Sequence, residues 1–317
     1  MDVTRTVKVG VVGVGSLGER HARIYAELPE TELVGVYDVH RERAAEVAAR
    51  YQAIPCSSLT ELAAQIEAAS VVVPTDQHHA VAGRLLEYGL HLLVEKPIAA
   101  TTQEAESLVA LADRKRLILQ IGHVERFNPA FSFLDQLKAR PRFIEAHRLA
   151  PYPPPRPGLP PRGTEVSVVL DLMIHDLEVI LHLVDSPVRE LHAVGLPILS
   201  PTEDIANVRI VFEDGCVANV TSSRITPEPM RKFRVFLEDT YVSLDYLRQA
   251  GEIRRKANYV IVCEAVPIQK GEPLANELRS FARCVLTQNQ PVVTGAQAAK
   301  ALKLAVDITR RVREGAS

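Results

Sequence analysis

Residues 168–183, VVLDLMIHDLEVILHL, form a strongly apolar stretch that carries Asp171, His175 and Asp176 near its middle. Read as a helix, it places Asp171 and His175 one turn apart on a shared face. Leu170, Met173, Ile174, Leu177, Ile180 and Leu181 cover most of the remaining surface, so the helix should be largely buried. A buried aspartate and histidine must be hydrogen-bonded or functional, because an unpartnered polar group is costly there. Taken alone, the pair fits a core histidine pinned by its own aspartate. That is the preferred reading of the pair by itself; the other is a proton-transfer group, since histidine titrates near neutrality. Lys96 is the second chemical candidate. It stands between Glu95 and Pro97 at a predicted strand end, and the proline biases it to an extended backbone. A lysine held there can hydrogen-bond a substrate hydroxyl and favour loss of its proton.

The elements that position these residues begin with a β-branched run over 7–14. It leads into Gly13-Val14-Gly15-Ser16-Leu17-Gly18 and a helix over 19–28. Strand, GxGxxG and helix in that order are what a dinucleotide-binding turn requires. The first glycine makes the tight turn, the second lets a pyrophosphate approach, and the third lets helix and strand pack. The helix N-terminus then faces the phosphates. A second strand, 32–37, ends at Asp38, an acid placed to accept hydrogen bonds from both ribose hydroxyls and to repel a 2′-phosphate. NAD is therefore favoured, while Arg41 and Arg43 close by leave NADP open.

Helices are expected over 41–51, 58–68, 77–88 and 101–114, and strands over 70–73, 91–94 and 116–121. This alternation gives a parallel, doubly wound α/β sheet of the Rossmann type, with ligands at the carboxyl ends of the strands. Pro74-Thr75, Glu95-Lys96-Pro97 and Gly122-His123 fall at those ends.

The character then changes. A strand over 143–149 is followed by PYPPPRPGLPPRG, 151–163, which reads as a long loop. After the apolar helix, strands are expected over 188–194, 206–212, 216–222, 232–237, 241–245 and 259–264, with a hairpin turn at Glu213-Asp214-Gly215. The second half is thus an α+β domain on a largely antiparallel open sheet. Helices over 274–286 and 296–312 close the chain. The expected division is 1–122 and 123–317, with 274–317 free to pack back on the first domain.

Hydrophobic residues make up 47% of the 317 and charged residues 24%, as in a soluble globular protein. The net charge of −2 gives no reason to expect nucleic acid or an anionic membrane surface. No apolar run is long enough to span a bilayer, and MDVTRTVKVGVVG runs into a strand without a signal-peptide pattern. Cys56, Cys216, Cys263 and Cys284 form no CxxC pair, which points to reduced thiols in a cytoplasmic protein and to no metal site.

Together, Gly13 to Gly18, Pro74-Thr75 with His78, Glu95-Lys96-Pro97 and Asp171-x-x-x-His175-Asp176 resemble the glucose-fructose oxidoreductase/inositol dehydrogenase/MocA family. The resemblance runs over essentially the whole chain. It implies a Rossmann domain, a second domain whose open sheet joins subunits into a homodimer or homotetramer, and hydride transfer between nicotinamide and a sugar or cyclitol carbon. Four stretches look like the members that oxidise the 3-hydroxyl of UDP-N-acetylglucosamine on the way to 3-amino sugars of lipid A. They are GHVERFNP at 122–129, DLMIHD at 171–176, DIAN at 204–207, and GCVAN at 215–219 with Ser223-Arg224. The proline-rich loop departs from that pattern.

The resemblance implies His175 as base, Asp171 as its orienting partner or a sugar ligand, and Lys96 at the reacting oxygen. NAD would meet Gly13, Gly15, Ser16, Leu17, Gly18, Asp38, Pro74, Thr75, His78, Glu95, Lys96 and His123. The UDP-sugar would meet Arg126, Asn128, Arg162, Asp171, His175, Arg224 and Arg231, the arginines suiting a diphosphate, although a surface or structural ion pair fits each of them at least as well. A dehydrogenase of a free sugar or inositol is the nearest alternative. A non-catalytic NAD-binding regulator is the alternative of another class, although it would have no need of Lys96, Asp171 and His175 together.

Overall fold

Val7, Val9, Val11 and Val12 are all buried, so β1 (Val7–Val12) is a strand covered on both faces, as parallel strands are. In the computed structural model, which describes residues 5–137, 139–156, 161, 163–257 and 260–315, the chain divides into two compact units. The first comprises Met1–Val124 with Glu272–Ala299, the second Glu125–Gly271 with Lys300–Ser317.

In the first unit β1 is followed by α1 (Ser16–Glu27), β2 (Thr31–Tyr37), α2 (Arg41–Tyr51), β3 (Ile54–Pro55) and α3 (Leu59–Ala63). Then come β4 (Ala68–Val71), α4 (Thr75–Glu87), β5 (His91–Glu95), α5 (Thr102–Lys115) and β6 (Leu119–Gly122). The six strands are parallel in the order β3-β2-β1-β4-β5-β6. The order reverses between β1 and β4, the switch point where such sheets bind ligands. Gly18, His21, Ala22 and Tyr25 form the buried stripe of α1, spaced to face the sheet. A Thr101–Glu104 capping box starts α5.

The predicted helix over 58–68 is shorter than its pattern suggested. Ser58 caps α3, but β4 already begins at Ala68, because Ala68 and Ala69 are small enough to sit in the sheet interior.

The second unit holds β7 (Phe143–Leu149), α6 (Ile174–Val184), β8 (Val188–Leu196), β9 (Ile205–Phe212) and β10 (Val217–Ser223). It continues with β11 (Met230–Phe236), β12 (Thr240–Asp245), β13 (Ala250–Ala257) and β14 (Val260–Ala265). The eight strands run β14-β13-β12-β11-β7-β10-β9-β8, antiparallel throughout except for the parallel β7–β10 pair. Alternate residues of β7 and β9 are buried, and Leu177, Ile180 and Val184 of α6 join Val208, Ile210, Val220 and Phe233 in one core.

Two helices follow β14. The first, α7 (Pro273–Thr287), puts Leu278, Phe281 and Val285 into the core of the first unit. The division between the units falls inside the second, α8 (Gly295–Gly315). Among the described residues no helix is long and apolar enough to cross a membrane.

Candidate active site

The glycine loop after β1 is shaped by close approach. Gly13 has φ of +85°, and a Cβ there would come within 2.5 Å of the Val72 carbonyl oxygen. A Cβ on Gly18 would overlap the carbonyl of Gly13, whereas one on Gly15 would meet nothing. The middle glycine therefore faces open space at the N-terminus of α1. No side chain caps that helix, and Ser16 and Leu17 form its first turn. Uncapped N–H groups and the helix dipole suit a pyrophosphate.

Asp38, directly after β2, completes the cradle. Its Oδ2 accepts the Val14 N–H at 2.8 Å and its Oδ1 accepts the His40 N–H at 2.9 Å. The carboxylate is thus fixed beside the loop with lone pairs left for ribose hydroxyls. The residues present fit NAD.

The two basic neighbours differ. Arg43 donates to the Val14 carbonyl at 3.1 Å and pairs with Glu46 and Glu19. The Glu46 hydrogen bond and the Glu19 carboxylate outweigh desolvation and raise its already high pKa. Arg41 is exposed at the start of α2. Asp38→Ser is accordingly expected to weaken NADH binding by about 10-fold, the loss of a hydrogen bond to a charged group. The same variant should gain NADPH binding that Arg41→Ala removes and Arg43→Ala leaves in place. Fluorescence titration with both reduced cofactors checks this.

At the next strand ends, Pro74 is exposed and Thr75 opens α4. Buried His78 lies with Nδ1 2.8 Å from the Pro97 carbonyl and Nε2 2.9 Å from that of Val73. It ties the end of β4 to the turn after β5. Lys96 is half-buried at that turn, and its bond to Pro97 is cis. Glu95 does not project outward: its carboxylate turns inward, against Gly122 and toward His21 of α1. His123 is buried after β6.

In the second unit the expected helix over 168–183 has two parts. Residues Val169–Met173 form a π-helical turn, and α6 begins only at Ile174. The Ser167 carbonyl accepts from both Leu170 and Asp171 N–H at 3.0 Å. Short π segments recur at functional sites. Here the π turn carries Asp171, and the first turn of α6 carries His175, which is 9% exposed. The Asp171 carboxylate lies against Gly163, where a Cβ would come within 2.6 Å of Oδ2.

Beside His175, Asp176 is locked. It accepts from Arg148 Nε at 2.8 Å and from the Tyr246 hydroxyl at 2.7 Å. Arg148 also donates twice to Glu125 at 3.1 Å, and its guanidinium stacks over Tyr246. Burial opposes charge on Arg148, but Asp176, Tyr246 and Glu125 outweigh it and keep the guanidinium charged. Sequence reading missed this group. Its one signal is Arg148 itself, a cation at a buried position of the alternating strand β7.

Three of the residues expected to meet substrate have internal partners, as buried donors require. Arg126 forms a buried ion pair with Glu178 at 2.9 Å. The Asn128 side chain bonds Glu125, the Tyr246 carbonyl and the Ala130 N–H. Arg224 is divided among Asp204, Thr202 and the carbonyls of Gly163, Val166 and Glu203. Arg231 pairs with Glu125 at 3.3 Å, but its side chain is 41% exposed. Arg162 lies outside the described residues.

Known families match both halves of the chain. The family model "Oxidoreductase family, NAD-binding Rossmann fold" matches residues 7–123, and the "GFO/IDH/MocA C-terminal domain" matches residues 139–243. A UDP-N-acetylglucosamine 3-dehydrogenase from Acidithiobacillus ferrooxidans is 36% identical over 95% of this chain and 96% of its own.

The chain belongs to the GFO/IDH/MocA oxidoreductase family.

The solved structure of the Acidithiobacillus ferrooxidans enzyme superposes with a TM-score of 0.91 at 35% identity, covering 98% of both chains. A more distant member, the scyllo-inositol 2-dehydrogenase (NAD(+)) of Bacillus subtilis, is 23% identical over 98% of this chain and 95% of its own. As a GFO/IDH/MocA oxidoreductase the protein is an NAD-dependent enzyme. Its glycine loop and Asp38 fit that cofactor.

Proposed function

We propose that this chain oxidises the 3-hydroxyl of UDP-N-acetylglucosamine with NAD, giving the 3-keto sugar nucleotide. An aminotransferase would then supply the 3-amino sugar for lipid A. The observation that carries this reading is 36% identity to a UDP-N-acetylglucosamine 3-dehydrogenase along 95% of the chain. Identity of that extent covers the second unit as well as the cofactor unit. We place the protein in the cytoplasm, where nucleotide sugars are made, as a homodimer or homotetramer through the sheet of the second unit. Val194 and Leu196 on β8 and Val260 and Ile261 on β14 support this, being apolar and exposed on its outermost strands.

Oxidation of a secondary alcohol removes a hydride from carbon and a proton from oxygen. NAD, when bound, supplies the hydride acceptor. In this reading Lys96 hydrogen-bonds the reacting oxygen and stabilises the negative charge that develops on it. His175 takes the hydroxyl proton. Asp171 orients the imidazole or holds a neighbouring sugar hydroxyl. Arg231 and Arg162 take the diphosphate, a task suited to the guanidinium fork.

The test compares NADH formation from UDP-N-acetylglucosamine, UDP-glucose, free N-acetylglucosamine and myo-inositol. UDP-N-acetylglucosamine should be strongly preferred, and UDP alone should raise the melting temperature by binding the folded state. Turnover of inositol with no response to UDP would refute the proposal.

A further inference from the structure

One buried polar chain in the first unit has no part in the chemistry described so far. His21, Tyr25 and Ser70 are fully buried. The Tyr25 hydroxyl lies 2.8 Å from Ser70 Oγ, and Ser70 Oγ lies 3.1 Å from His21 Nδ1. On the far side of the ring, His21 Nε2 is 3.2 Å from Glu95 Oε1. The other Glu95 oxygen accepts the Lys96 backbone N–H at 3.3 Å.

With Tyr25 donating to Ser70 and Ser70 donating to His21 Nδ1, the ring hydrogen sits on Nε2, which faces Glu95 Oε1 at 3.2 Å in a polar contact short of hydrogen-bond geometry. Burial, together with the Glu277 and Glu95 carboxylates, pushes the Tyr25 phenol far up despite its Ser70 bond, so Tyr25 remains a donor. Such a chain is worth more complete than in parts, because each bond polarises the next and an orphaned member is costly.

Packing supplies an independent observation. A Cβ added to Gly122 would lie 2.9 Å from Cδ, Oε1 and Oε2 of Glu95 together. Gly122 on β6 therefore leaves room for the inward carboxylate, and α1 holds it there through His21.

The geometry points to His21 and Glu95 as a positioning pair for Lys96, through which helix α1 and the glycine at the end of β6 fix the turn that aims the lysine. This rests on the role assigned to Lys96 above. Neither His21 nor Glu95 is required to touch substrate.

Two mild variants reach Glu95 by different routes. Ser70→Ala removes the hydroxyl that sets the His21 tautomer, and Gly122→Ala displaces the carboxylate directly. Each is expected to lower kcat by about 10- to 100-fold, the effect of a small misplacement of a reacting group, with KM for NAD changed little. The double variant should be no slower than the worse single one, since both act through one carboxylate. A rise in KM for NAD at unchanged kcat, or losses that multiply, would overturn the assignment and mark the chain as scaffold only.

A second measurement needs no turnover. The rate at which an amine-reactive reagent labels Lys96, mapped by peptide mass spectrometry, should change severalfold in both variants while Lys115 labelling stays constant. Unchanged Lys96 labelling would overturn the inference even in an active enzyme. Wild-type protein inactive on UDP-N-acetylglucosamine would instead refute the proposed function.

Discussion

His175→Ala is expected to lower kcat by about a thousandfold, within the range that a positioned general base contributes. NADH should still bind as in the wild type, because the residue lies in the second unit and the glycine loop in the first. Lys96→Ala is expected to cost a comparable factor, and the double variant little more, because the proposed mechanism assigns both residues to the reacting hydroxyl. Steady-state kinetics with UDP-N-acetylglucosamine checks all three variants. Near wild-type turnover by either single variant would remove that residue from the chemistry.

The largest effect on stability is expected at Asp204, just before β9. Its Oδ2 accepts the N–H groups of Ile198, Leu199 and Ser200, and its Oδ1 accepts the Ser200 hydroxyl and Arg224 Nε. Burial alone would raise its pKa. The Ser200 and Arg224 bonds and the backbone donors outweigh burial and hold the carboxyl well below its ordinary value.

A depressed folded-state pKa adds stability above the unfolded value, and that stability is lost as pH falls through about 4 toward the folded value. Asp204→Asn leaves the buried Arg224 without its carboxylate and should destabilise the second unit by about 3–5 kcal/mol at neutral pH. It should also flatten the loss of stability on acidification. Urea denaturation of wild type and variant at neutral and acid pH measures both effects. An undiminished acid dependence in the variant would place it elsewhere.

The Rossmann half was largely legible because its signals are local. Buried parallel strands read as apolar runs, and the glycine loop and Asp38 lie within one strand-helix-strand unit. Strand β13 escaped notice because Ile253 is the one buried apolar side chain among its described residues, with charged neighbours. The π turn escaped because a pattern of apolar spacing does not distinguish it from the α-helix it continues.

The partners of the arginines were not legible for a different reason. Arg148 meets Asp176 and Glu125, and Arg224 meets Asp204, all at long separations in sequence. A sequence shows a cation but not the partner that claims it. His21 was passed over likewise, since its neighbours Ser70 and Glu95 come from other strands.

The central claim is oxidation at C3 of the sugar by hydride transfer to NAD. It is tested most directly with UDP-N-acetylglucosamine carrying deuterium at C3. The account predicts that the deuterium appears in the reduced nicotinamide and that the product is a UDP-linked 3-ketone. Protiated NADH, or a product that keeps its deuterium, would contradict it.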